Sequence, residues 1–116
     1  MKINSYSFGR IIIDGRKYTR DVIIRQLADE VKSNWWRSRS HFLAMEDIED
    51  VLSPIPDILI IGQGDPGLME VGDDVKDFCK THNIKLYIMS TAEAAHKFNT
   101  YSEQGENVVA ALHLTC

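Results

Sequence analysis

The stretch Ile58-Leu59-Ile60-Ile61-Gly62-Gln63-Gly64-Asp65-Pro66-Gly67 decides how the chain is read. Four consecutive apolar residues, three of them β-branched, suit a strand covered on both faces, and the glycines that follow let it hand over abruptly to a loop. In an open α/β sheet, ligands gather at the carboxyl ends of such strands. The segment is therefore expected to be the central strand, and its loop the first place to look for a site.

Downstream, the pattern alternates. Val71, Val75, Phe78 and Cys79 form a helical stripe over about Gly72 to His82, with Asp73 and Asp74 favouring its start and Asn83 suited to a left-handed stop. Ile84-Lys-Leu-Tyr-Ile-Met89 reads as a strand. Ser90-Thr-Ala-Glu93 is a capping box that opens a helix buried through Ala94, Ala95, Phe98 and Tyr101, with Gly105 just beyond its end. Asn107-Val-Val-Ala-Ala-Leu-His-Leu114 is a further strand. Strand and helix in alternation imply a mixed or parallel sheet between helical layers.

Upstream, Phe8 to Val22 reads as a β-hairpin: Arg10-Ile-Ile-Ile13, the turn pair Asp14-Gly15, then Lys17 to Val22, running on through Ile24 with Arg20 toward water. Gly9 is a candidate bulge. Leu27, Val31 and Trp35 recur at helical spacing, which predicts a short helix within Gln26 to Arg39 despite the loop-like Ser33-Asn34 and Ser38-Arg-Ser40. Glu46 to Leu52 reads as a helix stopped by Pro54 and Pro56. The expected whole is a single α/β domain, residues 1–116, with three layers, a mixed central sheet and an N-terminal β-hairpin.

Composition bounds the function. With 116 residues, 44% hydrophobic and 26% charged, the chain suits one core. Its 13 basic and 17 acidic residues leave a net charge of −4, which argues against nucleic acid as the main partner. Nothing approaches a membrane span, and Met1-Lys-Ile-Asn-Ser-Tyr is no signal peptide. A cytoplasmic protein with free thiols at Cys79 and Cys116 is expected.

Several groups of residues together resemble a known family: Ser7-Phe8-Gly9, the Gly15 hairpin, the tryptophan and His41 stretch, Asp57 to Gly64, Thr91-Ala92 with Ala94 or Ala95, Phe98-Asn99 and Leu112-His-Leu-Thr-Cys116. They look like the small domain-of-unknown-function family first seen in a methanogen, which includes the adipogenesis-associated protein and mitochondrial complex I assembly factor three. The resemblance spans nearly the whole chain and implies a three-layer α/β fold with no established reaction. Gln26-Leu-Ala-Asp-Glu replaces the proline that the family usually carries after its second hairpin strand.

Three constellations are candidates for chemistry. Gly62, Gln63, Gly64 and Asp65 can offer backbone amides to a small anion, with His41, His113 and Cys116 as neighbours of that site. The simpler reading is that the glycines only let the strand turn. The loop is neither a dinucleotide fingerprint nor a phosphate loop, so no cofactor is expected. His113 and Cys116 hold half of a thiolate–imidazole pair, but two ligands are too few for zinc, and no metal is expected. Trp35, Trp36 and Arg37 mix aromatic faces with a guanidinium, the ingredients of a protein-binding hot spot. There, the simpler reading puts one tryptophan in the core and leaves Arg37 and Arg39 solvated. With no complete set of nucleophile, base and orienting group, the chain reads first as a non-catalytic protein-binding or assembly module; the alternative is a small-molecule or anion-binding domain, or a small enzyme, with its site at the Gly62–Gly64 loop near His113 and Cys116.

Overall fold

The computed structural model describes residues 1–116. In chain order its elements are β1 (Ile3–Ser7), β2 (Arg10–Ile13), β3 (Arg16–Tyr18), β4 (Val22–Arg25), β5 (Glu30–Lys32), β6 (Phe42–Leu43), two 3-10 turns (Met45–Asp47 and Glu49–Leu52), β7 (Ile58–Gly62), β8 (Glu70–Val71), α1 (Asp73–Thr81), β9 (Lys85–Met89), α2 (Thr91–Glu103) and β10 (Val108–Leu112).

The main sheet is mixed and five-stranded, in the order β5-β4-β10-β7-β9. β7 pairs in parallel with both β10 and β9, whereas β4 runs antiparallel to β10 and β5 antiparallel to β4. The Ile58 strand is thus flanked on both sides as expected, but the middle position belongs to β10. All five residues of each of these strands are buried. Alternate residues serve opposite faces. Ile23, Leu59, Ile61, Val109 and Ala111 pack with Val75 and Cys79 of α1 and with Ile48, Val51 and Leu52. Ile24, Ile58, Ile60, Val108 and Ala110 pack with Ala94, Ala95 and Phe98 of α2 and with Ile3, Ile11 and Ile13. These faces make the three layers. Phe98 is fully buried, so Phe98→Ala should cost about 3–5 kcal/mol.

At the N-terminus, Asp14 (φ 49°) and Gly15 (φ 80°) make the tight turn between β2 and β3. The expected hairpin stands, with one strand added and two departures. Ile3–Ser7 adds a strand that pairs with β2, giving a three-stranded sheet, and the second hairpin strand does not run through to Ile24. The chain leaves the small sheet after Tyr18 and enters the main sheet at Val22. Gly9 lies in the β1–β2 turn, and the register shift falls between Ile3 and Ser5 instead.

The helix expected within residues 26–39 is absent. Asp29 (φ 50°) and Asn34 (φ 55°) bracket the short β5 with left-handed residues that no helix accommodates, and Leu27 is exposed. Glu46 to Leu52 is two 3-10 turns rather than one helix, although Ile48, Val51 and Leu52 do share a buried side. Asn83 (φ 56°) takes the left-handed conformation just after α1. At α2, Ser90 Oγ accepts from the Glu93 amide, while the Glu93 carboxylate accepts from the serine hydroxyl rather than from the Ser90 amide. No helix is long and apolar enough to cross a membrane.

Candidate functional site

Parallel pairing brings Gly62, Met89 and Leu112, the last residues of β7, β9 and β10, to one edge of the sheet. Because β4 runs the other way and pairs Val22 with Leu112, the residue before β4 meets the residue after β10. These are Asp21 and His113. Asp21 Oδ2 lies 2.8 Å from His113 Nδ1 and accepts from Arg37 at 2.8 Å, while its Oδ1 accepts from the Leu114 amide at 2.8 Å. Arg37 also donates to Ser40 O at 2.7 Å and lies over the Trp35 ring, 4.6 Å from its centroid.

A carboxylate can only accept, so this geometry assigns the Nδ1 proton to His113 as donor to Asp21. The 3.1 Å approach of Arg37 to that same nitrogen is then a contact between two donors. Two buried nitrogens remain without partners, Arg37 Nε and His113 Nε2. Burial works to raise the pKa of Asp21, but the hydrogen bonds from His113, Leu114 and Arg37 together outweigh it and hold the carboxyl below its usual value.

An aspartate that orients a histidine is half of a nucleophile-activating device. The other half is missing, since no hydroxyl or thiol is hydrogen-bonded to His113 Nε2. The Thr91 hydroxyl instead donates to the His113 carbonyl at 2.5 Å and accepts from the Gly64 amide at 2.8 Å. The threonine stitches β10 to the glycine loop.

Three amides of that loop are engaged. The Gln63 amide donates to Met89 O at 2.8 Å, the Gly64 amide to Thr91 and the Asp65 amide to Thr115 O at 3.0 Å, which leaves none of the three for an anion. Gly64 has φ +91°, and a β-carbon there would run into the Thr115 carbonyl and the His113 ring. His41 is exposed, its ring 5.8 Å from that of His113 and nearly perpendicular to it. Cys116 is a half-buried free thiol that makes no hydrogen bond to His113. No three His, Cys, Asp or Glu side chains come together in a way that could hold a metal ion.

The tryptophan pair divides. Trp35 is buried, with its indole donating to Asp47 O at 2.9 Å and its amide to Asp21 O at 2.9 Å, whereas Trp36 is 77% exposed. Arg37 is not solvated, as the simpler reading had it, but 7% exposed. Trp36, Arg37 and His113 line one open cleft of about 620 Å³ together with Arg20, Asp21 and Thr115. The glycine loop, His41 and Cys116 lie outside its lining. Asp21 is the residue that sequence reasoning missed; its signal was an acid directly before a wholly apolar strand start, where a carboxylate needs partners.

A mixed sheet with helices on both faces and a polar cluster at one edge defines a small α/β domain of a particular kind. The chain belongs to the family described as protein of unknown function (DUF498/DUF598), whose family model matches residues 3–113. Its structure is similar to that of a conserved hypothetical protein from Pyrococcus horikoshii, at 25% identity and a TM-score of 0.79 over 100% of both chains. A protein from Xanthomonas campestris is similar at 21% identity and a TM-score of 0.79, with 97% of this chain and 83% of that one covered. A Mth938-like domain from Bordetella pertussis shares the fold at 15% identity and a TM-score of 0.74, with 97% and 85% covered.

Proposed function

We propose that the chain is a non-catalytic protein-binding module whose contact face is centred on Trp36. One observation carries this reading: an exposed indole sits between two buried anchors. Trp35 and Arg37 are held by Asp21, Ser40 and Asp47, so Trp36 is presented to solvent on a fixed backbone. The backbone beneath that side chain has little freedom left to lose on binding, and an indole has only two side-chain torsions to fix.

Two further exposed apolar side chains belong to loops tied to the same edge. Phe8 precedes Gly9, whose amide donates to Leu114 O; Leu68 follows Asp65, whose amide donates to Thr115 O. The resemblance to the complex I assembly factor and the adipogenesis-associated protein points the same way by analogy. The acidic charge and the two free thiols fit a protein partner in a reducing cytoplasm better than a nucleic acid.

The test compares wild type with Trp36→Ala, both shown folded by circular dichroism, as baits in lysate of the cells that make the protein. Hot-spot aromatics contribute roughly 2 kcal/mol or more, so the variant should lose a partner that wild type retains. An identical set of captured proteins would sink the proposal.

A further inference from the structure

Beyond protein binding, the cleft beneath Trp36 has a charge balance of its own. Its lining holds two guanidiniums, Arg20 and Arg37, against one carboxylate, Asp21. Both Asp21 oxygens are already occupied, and Arg37 neutralises that charge at 2.8 Å. Arg20 is exposed and pairs with no acid. The cleft therefore carries an excess positive charge in a chain whose net charge is −4. Asn34, Ser40 and Thr115 add neutral hydrogen-bonding groups, and the exposed Trp36 indole supplies a flat apolar wall.

The orphaned nitrogens are the second observation. Arg37 and His113, the two deeply buried polar side chains of the lining, each keep one nitrogen without a partner. Buried polar groups are rarely left so; of the two, only the Arg37 Nε–H is a donor suited to an anion, since His113 Nε2, with the proton on Nδ1, is an acceptor. The cleft's size, about 620 Å³, falls in the range of small-molecule sites.

We propose that this cleft binds a small planar carboxylate, its charged end held by Arg20 and the neighbouring hydroxyl and amide groups, its flat body stacked on Trp36. A guanidinium matches a carboxylate with two parallel hydrogen bonds, and an aromatic acid fills the space over an indole as an aliphatic one does not. This site differs from the glycine loop, whose Gln63, Gly64 and Asp65 amides are already spent.

The probe is sodium benzoate, titrated into isotopically labelled protein while the Trp36 indole and Arg20 side-chain resonances are followed. A saturable shift with a Kd on the order of 1 mM is expected. Benzamide, equal in shape but uncharged, should bind roughly tenfold more weakly, as should benzoate with Arg20→Ala. Arg20 is exposed, so that variant keeps the fold. The proposal is overturned by three results: no saturable shift, benzamide binding as well as benzoate, or unchanged binding to Arg20→Ala. N-acetylaspartate amide stands in for the acidic side chain of a protein; its binding as tightly as benzoate would also overturn it. Failure here and failure of the protein-binding reading are distinguishable, because the partner test turns on Trp36 and this one on Arg20.

Discussion

The side-chain amide of Asn99 pairs with the backbone of Ile3 as a neighbouring strand would. Its Nδ2 donates to Ile3 O at 2.8 Å, and its Oδ1 accepts from Ile3 N at 2.8 Å. One side chain of α2 thereby satisfies both polar groups of a buried residue in β1 and ties the N-terminal sheet to the helix. Asn99→Asp keeps the size but loses the donor and sets a carboxylate against the Ile3 carbonyl. We expect it to destabilise by roughly 1–3 kcal/mol in urea unfolding; a change within error would mean that water replaces the amide at little cost.

Asp21 is expected to contribute to the acid limit. Its folded-state pKa is lowered, so the stability it contributes is fully present above the ordinary carboxyl value and lost as pH falls through the lower, folded one. Melting temperature should decline steeply below about pH 4, and Asp21→Asn should flatten that part of the profile. At neutral pH the same variant leaves Arg37 buried without its counter-charge and should cost roughly 3 kcal/mol or more. A melting profile of the variant parallel to that of wild type below pH 4 would show that other carboxyls govern acid unfolding.

Two glycines in one loop should behave differently. Gly64 (φ +91°) and Gly67 (φ +101°) both have backbones that a side chain disfavours, but an added β-carbon meets the Thr115 carbonyl at Gly64 and nothing at Gly67. Gly67→Ala should cost about 1 kcal/mol, the conformational cost alone. Gly64→Ala should cost roughly 2–4 kcal/mol, because the collision adds to it. Equal losses in chemical denaturation would contradict the packing described for Gly64.

The cysteines should separate by reactivity. Cys79 is buried on α1, and burial pushes its thiol up to about 11. Iodoacetamide at mildly alkaline pH should label Cys116 in the native protein and reach Cys79 only after denaturation, as read by peptide mass. Labelling of both at equal rates would mean that α1 opens freely.

Much of the fold was legible where one local interaction decides the outcome. Asp14-Gly15, Asn83 and Ser90 each state a turn, a stop or a cap in one or two residues, and Ile58 to Gly62 states a buried strand by composition. Residues 19–35 were misread because two periodicities coincide there. Tyr18, Val22 and Ile24 keep an alternation across Thr19–Asp21, yet the chain changes sheets at that point. Leu27, Val31 and Trp35 keep a helical spacing, yet Asp29 and Asn34 turn the chain between them. The polar cluster was only partly visible. His113 and Arg37 stand out as residue types, but their meeting with Asp21 rests on antiparallel pairing between strands about ninety positions apart in sequence, as the 92-residue separation of Asp21 and His113 shows.

The placement of β10 in the middle of the sheet has a consequence for synthesis. β4 and β5 on one side, and β7 and β9 on the other, join through Val108–Leu112. While the chain is being made, the two half-sheets emerge from the ribosome with no shared strand, each with an apolar edge open to chaperones or to misassembly. Only when the Val108 segment pairs with both does the main sheet become continuous. The five-stranded sheet therefore closes only once residues 108–112 are available, whatever the order in which its two halves form.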